Sequence, residues 1–329
     1  MQTRESTETP ARSASVPETA RMYIRRLQAG LGDALKGKPE VVKLTLTSLL
    51  ARGHLLIEDV PGVGKTTLAQ SLAKSVDCSF SRLQFTSDML PSDVLGVTVY
   101  NSHTQAFEFK HGPIFANFLL ADEINRTTPK TQSALLEAMN ETQVTVDGKS
   151  YPLPKPFMVI ATQNPIEHHG TYPLPESQLD RFLMRVRIGY PGRESEREIL
   201  RNGYRGEGPS IEPVLTAAEV LELQERADAV RVDPSLEDYM LAIVEQTRKH
   251  DSLALGVSPR GAQALYRAAQ GHALVDGREY VLPDDIKRLA PAVFGHRVIV
   301  SSKVALAQRR SDLSDRIIED ILLHLDVPL

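Results

Sequence analysis

One segment constrains the fold of this chain more than any other: Asp59-Val60-Pro61-Gly62-Val63-Gly64-Lys65-Thr66-Thr67. It follows a short apolar run, residues 54–57, and precedes a stretch with apolar residues at helical spacing. The pattern therefore predicts a strand, a loop and a helix. Glycines let several backbone N–H groups of such a loop converge on one point, and the helix N-terminus adds partial positive charge. The segment predicts a loop that holds a chain of phosphates.

Each position of this loop has an expected task. Gly62 and Gly64 let the loop wrap around the phosphates, Lys65 reaches the β- and γ-phosphates, and the Thr66 hydroxyl can bind Mg²⁺. The predicted contacts to ATP are Pro61, Gly62, Val63, Gly64, Lys65, Thr66 and Thr67. Asp59 stands where such loops usually have their first glycine. Because that position lies at the loop's entrance, we expect the turn to survive.

Two further strand ends supply polar groups. Asp122 and Glu123 end the apolar run 118–121, and Asn164 follows the apolar run 157–161. Asp122 can hold Mg²⁺ through water, and Glu123 can polarise an attacking water, a pairing that suits hydrolysis better than transfer to a bound acceptor. Asn164 could orient that water. The predicted catalytic set so far is Lys65, Glu123 and Asn164, with ATP and Mg²⁺ as cofactors.

The order of elements predicts an α/β fold of the P-loop type. Buried apolar runs separated by helical stretches indicate a parallel sheet covered on both faces. Two β-hairpins are expected as inserts, one around residues 97–109 and one at 144–149, where Asp147-Gly148 is a strong tight-turn signal. Changes at Tyr100 or at this turn should uncouple partner action from hydrolysis.

After Gly192 we expect the strands to stop. Thr216 with Glu219 has the pattern of a capping box, and Asp233-Pro234 and Ser258-Pro259 each place a cap residue before a proline. The predicted organisation is a disordered tail at 1–17, poor in bulky apolar residues, an ATPase core at 18–192 and an all-helical lid at 193–329.

Bulk properties exclude several classes of protein. A net charge of -4, a pI near 6.2 and the absence of Trp argue against nucleic acid as the main ligand. No apolar run approaches the ~18 residues that a membrane span needs, so we expect no membrane insertion and a cytoplasmic protein. Cys78 is the only cysteine, so no disulfide framework exists. Adjacent His168 and His169 lack the partners of a metal site.

With these residues in view, the chain resembles the MoxR family of AAA+ ATPases over nearly everything after residue 17. The most specific stretches are 56–66 (LIEDVPGVGKT), 121–126 (ADEINR), 132–139 (QSALLEAM), 161–165 (ATQNP) and 174–182 (LPESQLDRF). The resemblance implies that Asn164 is the sensor-1 residue and that Arg181 is a catalytic arginine finger for the neighbouring subunit's nucleotide. It also implies that Arg260 is the sensor-2 arginine and that Gly37 belongs to the segment lining the adenine pocket.

The resemblance further implies a homo-oligomer, commonly a hexameric ring, that remodels, matures or activates a protein partner in a chaperone-like way. That partner often carries a von Willebrand factor A domain. Two alternatives stay open at this point. The first is the motor subunit of a metal-chelatase complex, which shares this core, and the second is a nucleic-acid-handling AAA+ motor. A nucleotide-binding scaffold without hydrolysis is disfavoured by Glu123.

Overall fold

The fold is described from a computed structural model, over residues 18–164, 171–202, 211–301 and 310–328. The predicted tail at 1–17 and the pair His168 and His169 lie outside these residues. The strands are β1 (Leu55–Glu58), β2 (Phe80–Gln84), β3 (Gly96–Asn101), β4 (Ala106–His111), β5 (Phe118–Asp122), β6 (Gln143–Val146), β7 (Lys149–Pro152), β8 (Met158–Gln163), β9 (Met184–Val186), β10 (Leu253–Leu255) and β11 (Ile299–Val300).

The central sheet has five parallel strands in the order β2-β5-β8-β1-β9. Alternate residues of its middle strands are buried on opposite faces. Leu55 and Ile57 join one core cluster, whereas Leu56 joins the other, and β5 and β8 alternate in the same way. A sheet covered on both faces needs continuous apolar strands, which is why β1, β5 and β8 could be predicted from their apolar runs.

The helices pack on both faces of this sheet and form the C-terminal region. They are α1 (Glu18–Ala34), α2 (Pro39–Leu50), α3 (Lys65–Ser75), α4 (Pro91–Leu95), α5 (Pro129–Glu141), α6 (Glu176–Leu179), α7 (Arg193–Asn202), α8 (Ala217–Asp228), α9 (Pro234–Lys249), α10 (Pro259–Val275), α11 (Pro283–Phe294) and α12 (Arg310–His324). Helix α10 packs closely on α2, because a Cβ at Gly271 would lie 2.9 Å from the Thr47 carbonyl oxygen. This contact joins the lid to the core.

Both predicted hairpins are present, as β3–β4 and β6–β7. Asp147 and Gly148 both have positive φ, at 51° and 75°, as a two-residue turn between twisted strands requires. The two hairpins touch each other, since the rings of Phe109 and Tyr151 stack with centroids 4.2 Å apart. The two inserted hairpins therefore pack against each other through aromatic side chains.

The C-terminal region is helical, and each predicted cap is confirmed. Thr216 accepts a hydrogen bond from the Glu219 amide, Asp233 from that of Ser235 and Ser258 from that of Gly261. The expectation that strands stop after Gly192 was wrong in one detail, because β10 and β11 pair as a short antiparallel ribbon. These strands are too short for a sequence period to show. None of the helices in the described ranges combines the length and the hydrophobicity that a bilayer span requires.

Candidate active site

The glycine-rich loop joins β1 to α3 at the carboxyl edge of the sheet. Gly62 and Gly64 have φ of 85° and 97°, a region that favours glycine, so the loop can bend without strain. Gly64 is the N-cap of α3, and it has no side chain to occupy the first amides of that helix. The Lys65 ammonium donates to the Asp59 carbonyl oxygen at 2.8 Å. The lysine side chain therefore lies along the loop, and its ammonium group is at the Asp59 end.

Asp59 stands at the position of the first glycine of the usual motif. It is buried, and both of its carboxylate oxygens accept hydrogen bonds. One carboxylate oxygen accepts from the Val60 amide at 2.8 Å, and the other accepts from the Gly189 amide at 2.6 Å. The turn survives, as expected. The side chain in addition fastens the loop to the connection that follows β9.

Asp122 ends β5, which is separated from β1 only by β8. Neighbouring strands lie ~4.8 Å apart, so the acid and the loop face each other across roughly 10 Å. The Thr162 hydroxyl donates to one carboxylate oxygen of Asp122 at 2.6 Å, and Arg82 pairs with the other at 2.8 Å. Both oxygens of the predicted Mg²⁺ ligand are thereby oriented.

Glu123 follows with a left-handed backbone, φ 58° and ψ 47°, so the extended strand ends at this residue. Its amide donates to the Thr162 hydroxyl at 2.9 Å. Its carboxylate accepts from the Gln84 amide group at 3.0 Å and pairs with Arg126 at 3.0 Å. The predicted base is held by groups from β2 and from the turn after β5.

Asn164 follows β8, the strand between the loop and the acids, and it is 7% exposed. Its position is the one predicted for a residue that orients water between the two segments. Leu35, two residues before Gly37, lies beside the phosphate loop, since a Cβ added to Gly64 would be 3.0 Å from its side chain. Gly37 itself has φ 72° and packs against Ser195, at the start of α7. Leu35 therefore borders the phosphate loop, and the adenine-lining role of Gly37 stays a prediction.

Arg181 and Arg260 lie together, but at the opposite edge of the sheet. Both line a cavity of about 390 Å³ whose wall includes Gly53, His54 and Leu183, which precede β1 and β9. At about 3.3 Å per residue, the four residues of β1 place roughly 13 Å between this cavity and the start of the phosphate loop. Neither arginine therefore sits beside the Lys65 loop of its own chain.

This cavity is strongly basic. The cationic side chains that line it are Arg52, Lys155, Arg181, Arg260, Arg267 and Arg297. Burial, and then the nearby charge of Arg260, lower the pKa of Arg181 below its usual value. The Nε and Nη1 atoms of Arg181 are buried without a hydrogen-bond partner among the described residues. Unpaired buried donors cost ~1–3 kcal/mol each, so an anion entering the cavity would be favoured.

The residues of the carboxyl edge fit ATP and Mg²⁺. The unshielded start of α3 and the Lys65 ammonium suit a polyphosphate, and the oxygens of Thr66 and Asp122 are of the type that Mg²⁺ prefers. The site residues Pro61, Gly62, Val63, Gly64, Lys65, Thr66, Thr67, Asp122, Glu123 and Asn164 all lie at this edge. Only Arg181 and Arg260 lie apart from them.

Sequence reasoning missed several supporting residues. Thr162 bridges the two acids, Gln84 and Arg126 hold Glu123, and Arg82 pairs with Asp122. A polar residue inside an apolar strand, such as the fully buried Thr162, was the one signal that could have pointed to this network. The others lie on different elements, and only the sheet order brings them together.

Comparisons with known proteins agree with this geometry. Residues 54–184 match the ATPase family associated with various cellular activities (AAA), and residues 245–321 match the AAA lid domain. A crystal structure from Cytophaga hutchinsonii, described as that of a candidate ATPase, superposes with a TM-score of 0.85 at 38% identity over 95% of this chain and 98% of that one. The chain is therefore an AAA+ ATP hydrolase with a P-loop core and a helical lid.

Individual relatives narrow the family. The chain is 45% identical to the chaperone MoxR1 of Mycobacterium tuberculosis, over 80% of this chain and 72% of the relative. It is 30% identical to the protein MoxR of Paracoccus denitrificans, over 92% and 96%. It is also 50% identical to the uncharacterised protein YeaC of Bacillus subtilis, over 91% and 93%. The chain belongs to the MoxR family of AAA+ ATPases.

Proposed function

We propose that this protein forms a ring, hexameric as is common in its family, and that it hydrolyses Mg-ATP between adjacent subunits to remodel or activate a protein partner. One observation carries the proposal. The phosphate loop, the acid pair and Asn164 lie at one edge of the sheet, and Arg181 and Arg260 lie at the other. A single chain therefore holds two incomplete halves of a site, and head-to-tail contact between copies completes it.

Each residue has a task in the shared site. Lys65 and the loop amides hold the phosphates, Thr66 and Asp122 would hold Mg²⁺, and Glu123 takes the proton of the attacking water that Asn164 orients. Bound Mg²⁺ would neutralise charge on the phosphate oxygens. Arg181 of the adjacent subunit stabilises the charge that develops as the terminal phosphate leaves. An arginine supplied in this way is worth ~10³–10⁵ in rate where it has been measured.

We propose that the partner is a protein. In this family such a partner often carries a von Willebrand factor A domain. The chaperone name of the relative MoxR1 supports a protein partner. Exposed rings at the tip of the first hairpin support it too, since Tyr100 is 55% and Phe107 75% exposed. We further propose that residues 18–192 form the core and 193–329 the lid, because β9 ends the sheet and α7 begins at Arg193.

The first test is Glu123→Gln. The substitution keeps the shape of the side chain and removes the base, so ATP binding should persist while turnover falls by ~10²–10⁴. Binding of a fluorescent ATP analogue and phosphate release are measured side by side. Capture of proteins on this ATP-bound variant then identifies the partner. Normal turnover by Glu123→Gln would contradict the assignment of Glu123 as the base.

The second test addresses the shared site. Arg181→Ala keeps its own phosphate loop and loses the finger, and Lys65→Ala keeps the finger and loses the loop. Each variant alone should hydrolyse ATP slowly, whereas a mixture should regain part of the rate at interfaces that combine the intact halves. A mixture no faster than its components, or a fully active monomer, would refute hydrolysis between subunits.

A further inference from the structure

The loop that carries Arg181 is fastened to the lid through Asp180, the residue immediately before it. Nε of Arg297 donates to one carboxylate oxygen of Asp180 at 2.8 Å, and the Ser258 hydroxyl donates to the other at 3.2 Å. The side chain of Arg297 is 2% exposed and that of Asp180 is 19% exposed. Water screens this ion pair little, so removal of either partner would leave the other charge buried and unpaired, which is destabilising.

Arg297 also binds the backbone on both sides of Arg181. Its Nη2 atom donates to the carbonyl oxygens of Asp180 and Phe182, at 3.2 and 2.6 Å, and Nη1 donates to that of Leu183 at 3.1 Å. The planar guanidinium places several donors in fixed directions, which the single ammonium of a lysine cannot do. One lid residue therefore sets the path of the whole finger loop.

Ser258 connects the same carboxylate to Arg260. It is the N-cap of α10 and accepts from the Gly261 amide at 3.1 Å, and Arg260 lies in the first turn of that helix. Arg181 and Arg260 repel each other, because two like charges share one cavity. Without a tether, the two side chains would favour a wider separation.

We propose that Asp180, held by Arg297 and Ser258, is a positioning residue for hydrolysis that fixes Arg181 and Arg260 at one separation. Both arginines then meet the triphosphate of the adjacent subunit together. This inference rests on the proposed function, and it adds that the lid controls the finger loop through a single carboxylate. Asp180 acts on the neighbour's reaction and leaves its own subunit's nucleotide untouched.

Asp180→Asn tests the inference, because mixing experiments show whether the variant lacks a working phosphate loop or a working arginine finger. The variant should bind ATP normally and hydrolyse it ~10²-fold more slowly, the order expected for a group displaced by about 1 Å. Mixed with Lys65→Ala, which supplies an intact finger, it should regain activity. Mixed with Arg181→Ala it should not, because neither subunit then supplies a positioned finger. Arg297→Lys, which keeps the charge, should give the same results on mixing. It replaces Asp180→Asn in the test if that variant does not fold.

The matched control is Asp285→Asn, which breaks another buried lid ion pair, with Arg278 at 2.6 Å, away from Arg181. It should lower the melting temperature yet rescue Arg181→Ala on mixing. Rescue of Arg181→Ala by Asp180→Asn would overturn the positioning role, since it would show a working finger. So would failure of Asp180→Asn to be rescued by Lys65→Ala. If the parent mixture of Arg181→Ala and Lys65→Ala fails, the shared site itself is wrong.

Discussion

At the scale of single residues, Asp59 shows what a departure from a motif can mean. A glycine at this position would leave the Gly189 amide without the partner it now has at 2.6 Å. The sequence predicted that the turn would survive, because the position lies at the loop's entrance. It could not predict the new bond, because Gly189 lies far along the chain and its approach depends on the pairing of β9 with β1. The loop's local geometry was predictable, and its attachment was not.

His54 gives a pH dependence at the same scale. Nδ1 of His54 accepts from the Val159 amide at 3.0 Å, and Nε2 donates to the Met139 carbonyl oxygen at 3.1 Å. Burial lowers the pKa of His54 from 6.5 to about 4. Between these values the unfolded chain binds more protons, so stability is fully present above pH 6.5 and falls as the pH drops towards 4. The loss amounts to about 3 kcal/mol.

The check is the melting temperature across this pH window. Wild-type protein should melt progressively lower as the medium is acidified, and His54→Gln should be less stable at neutral pH with a flatter dependence. His103→Gln, in the exposed turn between β3 and β4, is the matched control and should follow the wild type. A wild-type melting temperature that is constant through the window would contradict the buried neutral histidine.

At the scale of elements, the stacked pair Phe109 and Tyr151 joins the two hairpins. Such a pair contributes about 0.5–1.5 kcal/mol, so Tyr151→Ala should let the hairpins open independently. Backbone hydrogen exchange in β3 and β4 should quicken by up to about tenfold. ATP hydrolysis measured without a partner should be retained, because neither ring lies at the carboxyl edge.

Phe107→Ala is the matched control for this prediction. Among the ring contacts of the described residues, Phe107 meets Tyr100 at the hairpin tip, with centroids 5.3 Å apart, and does not meet Tyr151. Loss of the Phe107 ring should leave backbone hydrogen exchange in β6 and β7 unchanged. If Phe107→Ala and Tyr151→Ala affect both hairpins equally, the stack is not what joins them.

The elements also show which sequence signals are strong. Runs buried on both faces predicted β1, β5 and β8, and polar caps predicted α8, α9 and α10. Strand β2 was missed because this edge strand is half-exposed and carries Arg82 in its centre. Strand β9 has only three residues, and its buried Arg185 is stabilised by Asp315 at 2.5 Å, a lid residue that no local pattern indicates.

At the scale of the whole molecule, the residues of the carboxyl edge were predictable from their own motifs, whereas the place of Arg181 and Arg260 in the fold was not. The phosphate loop and the acid pair are contiguous motifs next to strands, so their shared edge follows from a parallel sheet. The roles of Arg181 and Arg260 came from resemblance alone. That both lie at the amino edge depends on where the lid packs, through buried contacts such as that of Arg297 with the Phe182 carbonyl oxygen. Recognition of backbone carbonyls leaves no residue pattern in the sequence.

The same placement predicts which nucleotide Arg260 serves. Because Arg260 shares the cavity of Arg181 and lies away from its own Lys65 loop, we expect it to act on the adjacent subunit's ATP. Arg260→Ala should bind ATP normally and hydrolyse it slowly, and mixing with Lys65→Ala should restore part of the rate. Arg288→Ala, which removes a half-exposed arginine of α11, is the control and should hydrolyse ATP at the wild-type rate. If Arg260→Ala loses ATP affinity and Lys65→Ala does not restore its rate, the arginine serves its own nucleotide, and the lid must move across the sheet edge to reach it.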